Sequence, residues 1–161
     1  MSNISVLFVC LGNICRSPTA HAVFQALVDN SGLAEHIEVD SAGTGDWHIG
    51  HAPDQRTCAV AAQSGYDMSS LRARLVTEDD FDRFDYILAM DNDNLANLKA
   101  MCPTDYSGRL GLMLDYTLAP SFAEISEVPD PYYGGDDGFS LVLALVEDAC
   151  GGLLDHIRMR L

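Results

Sequence analysis

Residues 6–24, Val6-Leu-Phe-Val-Cys10-Leu-Gly-Asn-Ile-Cys15-Arg16-Ser17-Pro18-Thr-Ala-His-Ala-Val-Phe24, decide the fold. Four consecutive apolar residues, Val6 to Val9, have the pattern of a short strand buried on both faces. A loop follows, and Ser17-Pro18 then opens a helix, since serine caps well and proline suits the first helical position. Ala20, Val23, Phe24 and Leu27 share one face of that helix. Cys10 thus ends a buried strand, and Arg16 stands at the mouth of a helix. Main-chain N–H groups at such a mouth have no helical partners, and the helix dipole favours negative charge there. Cys10 is therefore a candidate nucleophile held beside an oxyanion cradle, in a setting that favours the thiolate.

Outward from this segment, elements alternate. Asn30-Ser-Gly32 is a helix stop, and residues 37–42 alternate as a strand with one exposed face. Residues 43–53 are rich in breakers. A helix is expected from Pro53-Asp54 to Gly65, and Thr77-Glu-Asp-Asp80 has the look of a capped helical turn. Tyr86 to Met90 is a second short buried strand. Asp91 then caps a helix that puts Leu95, Leu98 and Cys102 on one side. Leu110 to Leu114 is a weaker apolar run, strand or part helix. Residues 115–135 hold three of the six prolines and read as loop. The clearest element is the last helix, where Phe139, Val142, Leu143, Val146, Ala149, Cys150, Leu153, Leu154 and Ile157 keep a 3.6-residue period, capped by Asp136 or Asp137. Arg158 and Arg160 suit its C-terminal dipole. Gly151-Gly152 inside it should cost about 1 kcal/mol each. Strands alternating with helices imply one α/β domain over residues 1–161: three layers, with a central four-stranded parallel sheet flanked by helices on both faces and a phosphate-binding loop after the first strand. Ligands of such sheets bind beyond the carboxyl ends of strands, where Cys10 lies.

At 161 residues the chain can bury ~70% of its unfolded surface. No run of 18 apolar residues and no basic start with a small-residue cleavage site is present, so neither a membrane span nor a signal peptide is expected. Five cysteines at irregular spacing argue against a secreted disulfide framework and for a reducing cytoplasm. Cys58, Cys102 and Cys150 read as buried filler. Nine basic against 24 acidic residues give a net charge of −15, which excludes nucleic acid and anionic membrane as partners. An oxyanion ligand such as inorganic phosphate is still accommodated, because the Debye length of ~8 Å at ~0.15 M salt screens distant carboxylates while a guanidinium and N–H groups act at contact. Substrates without acidic flanks are expected to be preferred.

Cys-x5-Arg-Ser at the first strand-to-helix turn, with Gly12-Asn13 inside it and Asp130-Pro131-Tyr132-Tyr133 downstream, resembles the low-molecular-weight protein tyrosine phosphatases. The resemblance in element order covers nearly the whole chain. It implies hydrolysis of phosphotyrosine proteins and small aryl phosphates through a phosphocysteine on Cys10. Arg16 and the N–H groups of Leu11, Gly12, Asn13, Ile14 and Cys15 would bind the phosphate, and Asp130 would act as general acid and then base. The planar fork of Arg16 suits the trigonal transition state. Gly12 lets the loop wrap tightly, and Asn13 tolerates left-handed backbone angles. Ser17 has two open roles, capping the helix or donating to the sulfur. The resemblance further implies that Ser41 bonds Asn13 and fixes the loop. Trp47, Tyr132 and Tyr133 would wall a cleft too deep for phosphoserine, and Cys10 with Cys15 would form a reversible protective disulfide.

His48, His51 and Asp46 have no strong metal-ligand spacing; neither metal nor cofactor is expected. Two positions depart from the family. His21 stands where relatives usually carry an acid, and Leu71 where many carry histidine. Two other functions use related chemistry. An arsenate reductase needs a relay of further cysteines, and residues 66–83 contain none. A phosphopeptide-binding module would lack Cys10 or Asp130, and both are present.

Overall fold

The computed structural model describes residues 3–131 and 136–161. Four parallel strands form one sheet in the order β2-β1-β3-β4: β1 (Ile4–Cys10), β2 (Ile37–Gly43), β3 (Tyr86–Ala89) and β4 (Arg109–Leu112). The helices are α1 (Arg16–Asn30), α2 (Gln55–Gln63), α3 (Asp80–Arg83), α4 (Asn92–Met101) and α5 (Asp136–Arg158). This is the expected α/β architecture. The chain leaves β1 toward β2 on one side and reaches β3 on the other, so the carboxyl end of β1 lies where the strand order switches.

Alternation along β1 explains both layers. Val6, Phe8 and Cys10 join the helices α1 and α5 in one apolar cluster. Leu7 and Val9 join Phe81, Phe84, Ile87, Ala89 and Leu98 in the other. Successive side chains of a strand point to opposite faces, and here each face is covered. Phe8 meets Phe24 of α1 edge-on at 5.7 Å between ring centres. Register places Cys10 beside Gly43, and Val9 beside Ala89.

Several local expectations change. The helix after the first loop begins at Arg16, with Cys15 as its uncapped first position. Ser17 does not cap it, because its hydroxyl is turned inward to other partners, and Pro18 sits two residues further in. Asp54 caps α2, accepting from the N–H of Arg56 and Thr57, and Asp91 caps α4 through Asn94. Before α3 the capping runs the other way, with the buried Asp80 accepting the Thr77 N–H at 2.8 Å. The run 110–114 is divided between β4 and a 3-10 turn, Met113–Tyr116. Cys150 is buried, but Cys58 and Cys102 are only partly covered, since each lies near an end of a short surface helix. Arg160 lies past α5 and donates to the Tyr86 hydroxyl at 2.8 Å instead of serving the helix dipole. Among the described residues no helix is long and apolar enough to cross a membrane.

Candidate active site

Residues 11–15 turn from β1 into α1, and Leu11, Gly12, Ile14 and Cys15 line a cavity of about 330 Å³ with Cys10, Arg16, Trp47, His48 and Asp130. Asn13 is the one non-glycine residue with positive φ (57°) among the described residues, which lets the loop curl back over Cys10. Among the described residues the N–H groups of Leu11 to Cys15 have no hydrogen-bond acceptor within the protein. Three carbonyls at Cys10, Leu11 and Ile14 are engaged outside: Thr44 donates to Cys10, Gly45 to Leu11 and Asp54 to Ile14, at 2.8–2.9 Å. The loop is thus fixed from behind while its donors stay available, the condition for an anion cradle.

Cys10 is 2% exposed and its Sγ lies 3.0 Å from Ser17 Oγ. Asn13 Nδ2 donates to that same oxygen at 2.8 Å, and the Ala42 carbonyl lies 3.3 Å from it. A hydroxyl has one hydrogen to give. With Asn13 donating, Ser17 directs that hydrogen either to the sulfur or to Ala42. The amide orientation of Asn13 is settled by its other end, where Oδ1 accepts the main-chain N–H of Arg74 at 3.0 Å. Ser41 does not bond Asn13; its Oγ pairs with His21 Nδ1 at 3.1 Å. Burial holds His21 below the usual histidine range, with Asp40 opposing and Arg74 adding to the shift.

Arg16 is 3% exposed. Its Nη1 donates to Asp91 Oδ2 at 2.6 Å and to the Val128 carbonyl at 3.1 Å, and its Nη2 lies 3.7 Å from Asp130 Oδ2. Of five guanidinium hydrogens, the three on Nε and Nη2 have no acceptor within hydrogen-bond distance among the described residues, Nη2 having only the longer ion pair with Asp130. Burial works against the charge, but Cys10, Asp91 and Asp130 together raise the arginine above its ordinary value. Val128 N donates to the Met90 carbonyl at 2.8 Å, so the segment carrying Asp130 is tied to the end of β3 beside Asp91. Cys15 is buried, and burial pushes its thiol up to about 12, with Asp54 and Cys10 adding to the effect. Both cysteines are free thiols.

Trp47 stands at the rim, 66% exposed. Tyr132 and Tyr133 lie outside the described residues. Two site residues escaped the sequence. Asp91 was legible as a helix cap, yet its second oxygen holds Arg16; its place just after β3, a strand next to β1, was the available signal. His48 had been weighed only as a metal ligand. It lies over the loop, its Cδ2 2.9 Å from where a Cβ on Gly12 would be.

A family model for the low molecular weight phosphotyrosine protein phosphatases matches residues 5–160. The chain belongs to that family. Its relatives include the low molecular weight protein-tyrosine-phosphatase of Streptomyces coelicolor, 46% identical over 95% of this chain and 93% of that one. The phosphatase YfkJ of Bacillus subtilis is 43% identical over 96% of each chain. Among solved structures, an Entamoeba histolytica protein tyrosine phosphatase with Hepes in its active site superposes with a TM-score of 0.91, 43% identity and 98% coverage of both chains. The low molecular weight phosphatase described here is accordingly a hydrolase of the cysteine-dependent kind, and Cys10, Arg16 and Asp130 meet at one cavity.

Proposed function

We propose that the protein hydrolyses phosphotyrosine in two steps through a phosphocysteine on Cys10. The observation that carries this is one cavity lined by Cys10, Arg16 and Asp130 together with Leu11, Gly12, Ile14 and Cys15, whose main-chain N–H groups have no acceptor among the described residues. In the first step the Cys10 thiolate attacks phosphorus. The bond from phosphorus to the ester oxygen breaks, and Asp130 protonates the leaving phenolate. The trigonal phosphoryl group passes between Arg16 and the loop donors, whose charge and geometry match it in flight. In the second step Asp130, now a carboxylate, takes a proton from water. The hydroxide attacks phosphorus, the P–S bond breaks, and phosphate leaves with the thiolate restored. Ser17 Oγ, 3.0 Å from the sulfur, stabilises that thiolate as it attacks and as it departs.

Support for an anion in the loop comes from relatives: the Entamoeba phosphatase holds Hepes in its active site, and Wzb of Vibrio vulnificus was solved in complex with benzylphosphonate. One solved relative, 34% identical, is named an arginine phosphatase, so phosphoarginine is the competing substrate. The exposed Trp47 indole at the rim supports an aromatic ester, on whose ring it can stack.

The decisive experiment is a rapid quench of the wild type with phosphotyrosine peptide in EDTA, followed by peptide mapping. Phosphate on Cys10 is expected, and its absence during steady turnover would remove the covalent mechanism. Phosphoarginine and phosphoserine peptides run in parallel settle the substrate class. Asp130→Asn should slow aryl phosphate hydrolysis by ~10²–10⁴.

A further inference from the structure

Behind the phosphate loop lies a polar network that the two-step scheme does not use. The segment 73–76 runs past the end of β2, with Gly43 N donating to the Arg74 carbonyl and Val76 N donating to Gly43, both at 2.8 Å. From this segment the Arg74 N–H reaches Asn13 Oδ1 at 3.0 Å. The Arg74 side chain is gripped on two sides. Its Nε and Nη2 meet Asp40 Oδ2 at 3.2 and 3.1 Å. Its Nη1 and Nη2 fork onto the two oxygens of Asp80 at 3.1 Å each. Asp80 is itself 5% exposed and fixed by the Thr77 N–H. A guanidinium forked onto the buried Asp80 and also bonded to Asp40 has little freedom to turn, which holds its main-chain segment in place.

We propose that Arg74 is a positioning residue for the reaction: by pinning its own main-chain N–H on Asn13 it fixes the Asn13 amide and so delivers the Ser17 hydrogen to the Cys10 sulfur. The chain of consequence is short. A main-chain N–H can only donate, so it compels Asn13 to present Oδ1 to residue 74 and Nδ2 to Ser17. With Nδ2 donating, Ser17 Oγ is an acceptor at that side and its hydrogen is kept for the sulfur at 3.0 Å or the Ala42 carbonyl at 3.3 Å, the sulfur being the nearer. If the segment loosens, the amide can turn over. Asn13 then offers oxygen to Ser17, the hydroxyl donates to Asn13, and the thiolate loses its hydrogen bond. Leu71, two residues before that segment, has no polar side chain to hold Asn13 in place of this pin. The proposal rests on the reading of Cys10 as the nucleophile.

The test compares wild type, Arg74→Lys, Arg74→Met and Arg74→Met/Asp80→Asn, with Arg72→Met as control; Arg72 is exposed and its Nη1 reaches only the Ser69 and Leu71 carbonyls. The double variant removes the carboxylate that Arg74→Met would leave buried and unpaired. Three readings are taken: kcat and KM for para-nitrophenyl phosphate, the pH midpoint of Cys10 alkylation by iodoacetate, and the melting temperature. Cys10 faces Arg16 and Cys15 from its own loop, with Asp91 behind Arg16 and His48 and Asp130 across the cavity, and none of these is altered. The double variant should melt near the wild type while kcat falls at least about tenfold with little change in KM, and the alkylation midpoint moves to higher pH. Arg74→Lys keeps the charge but cannot span Asp40 and Asp80 together, so it should recover only part of kcat. A double variant with wild-type kcat and alkylation profile would overturn the proposal. Should the double variant not fold, an unshifted alkylation profile in Arg74→Lys would do the same. Failure of the wild type to cleave aryl phosphate would instead strike the phosphatase reading, and the alkylation comparison would still decide the role of Arg74.

Discussion

Replacing Asp91 with asparagine separates two tasks that one carboxylate performs. Oδ1 caps α4 by accepting the Asn94 N–H at 2.8 Å, while Oδ2 holds Arg16 Nη1 at 2.6 Å. Asparagine is as good a cap as aspartate, so its oxygen stays with Asn94. Its NH2 group then meets Arg16, donor against donor. A hydrogen bond to a charged group contributes about 1.5–3 kcal/mol, and Arg16 is 3% exposed, so little water is available to replace it. The guanidinium must turn from the loop axis toward Val128 or Asp130, its remaining partners. If that full amount is lost from the transition state, kcat/KM falls between about 10- and 150-fold. Asp91→Ser, a second good cap with no arm toward Arg16, should match the asparagine variant. Asp91→Ala should add about 1 kcal/mol of lost stability from the cap. The assay is steady-state hydrolysis of para-nitrophenyl phosphate beside urea unfolding. Asparagine and serine variants within about threefold of wild type, with only alanine impaired, would show that the cap alone matters and refute the role assigned to the ion pair.

Three further outcomes are expected. Burial holds His21 below its ordinary value of 6.5, so as pH falls through that value the unfolded chain binds a proton the folded one refuses. Stability therefore declines from neutral pH into the acid range, and His21→Gln should flatten the decline in urea titrations at pH 7.5 and 5.5; an unchanged slope contradicts this. The Cys15 thiol, pushed up to about 12, should stay protonated near neutrality, so iodoacetate at pH 7.5 should label Cys10 and spare Cys15 on peptide mapping; preferential labelling of Cys15 contradicts the burial. Gly151→Ala should raise the melting temperature by the helix propensity of ~1 kcal/mol, because a Cβ there meets nothing within 4 Å. Gly152→Ala should lower it, since that Cβ would overlap the Tyr116 carbonyl oxygen and lie 3.2 Å from Leu118 Cγ.

The two glycines mark the boundary of what could be read in advance. In sequence they are equivalent, adjacent small residues in an apolar helix, each costing the same propensity. Only the 3-10 turn that follows β4, pressed against α5, makes one of them indispensable and the other replaceable. Ser17 and Ser41 teach the same point. Both sit at positions that sequence reasoning marked; of the two roles open to Ser17 the structure shows the sulfur contact and not the cap, while Ser41 pairs with the imidazole instead of Asn13.

What the chain alone determined was carried by short-range rules. Period-2 and period-3.6 burial, caps, and a Cys-x5-Arg turn all act within one or two elements, so the α/β alternation and the cradle at the end of β1 could be written from residues 4–30 outward. What required the folded molecule was convergence. Asp91, Val128 and Asp130 reach Arg16 from 75 to more than 110 residues away, and Arg74 reaches Asn13 across 61. A side chain's partner depends on strand register and on the depth at which it is buried. Both are set by how the layers pack, and neither is encoded at the residue itself.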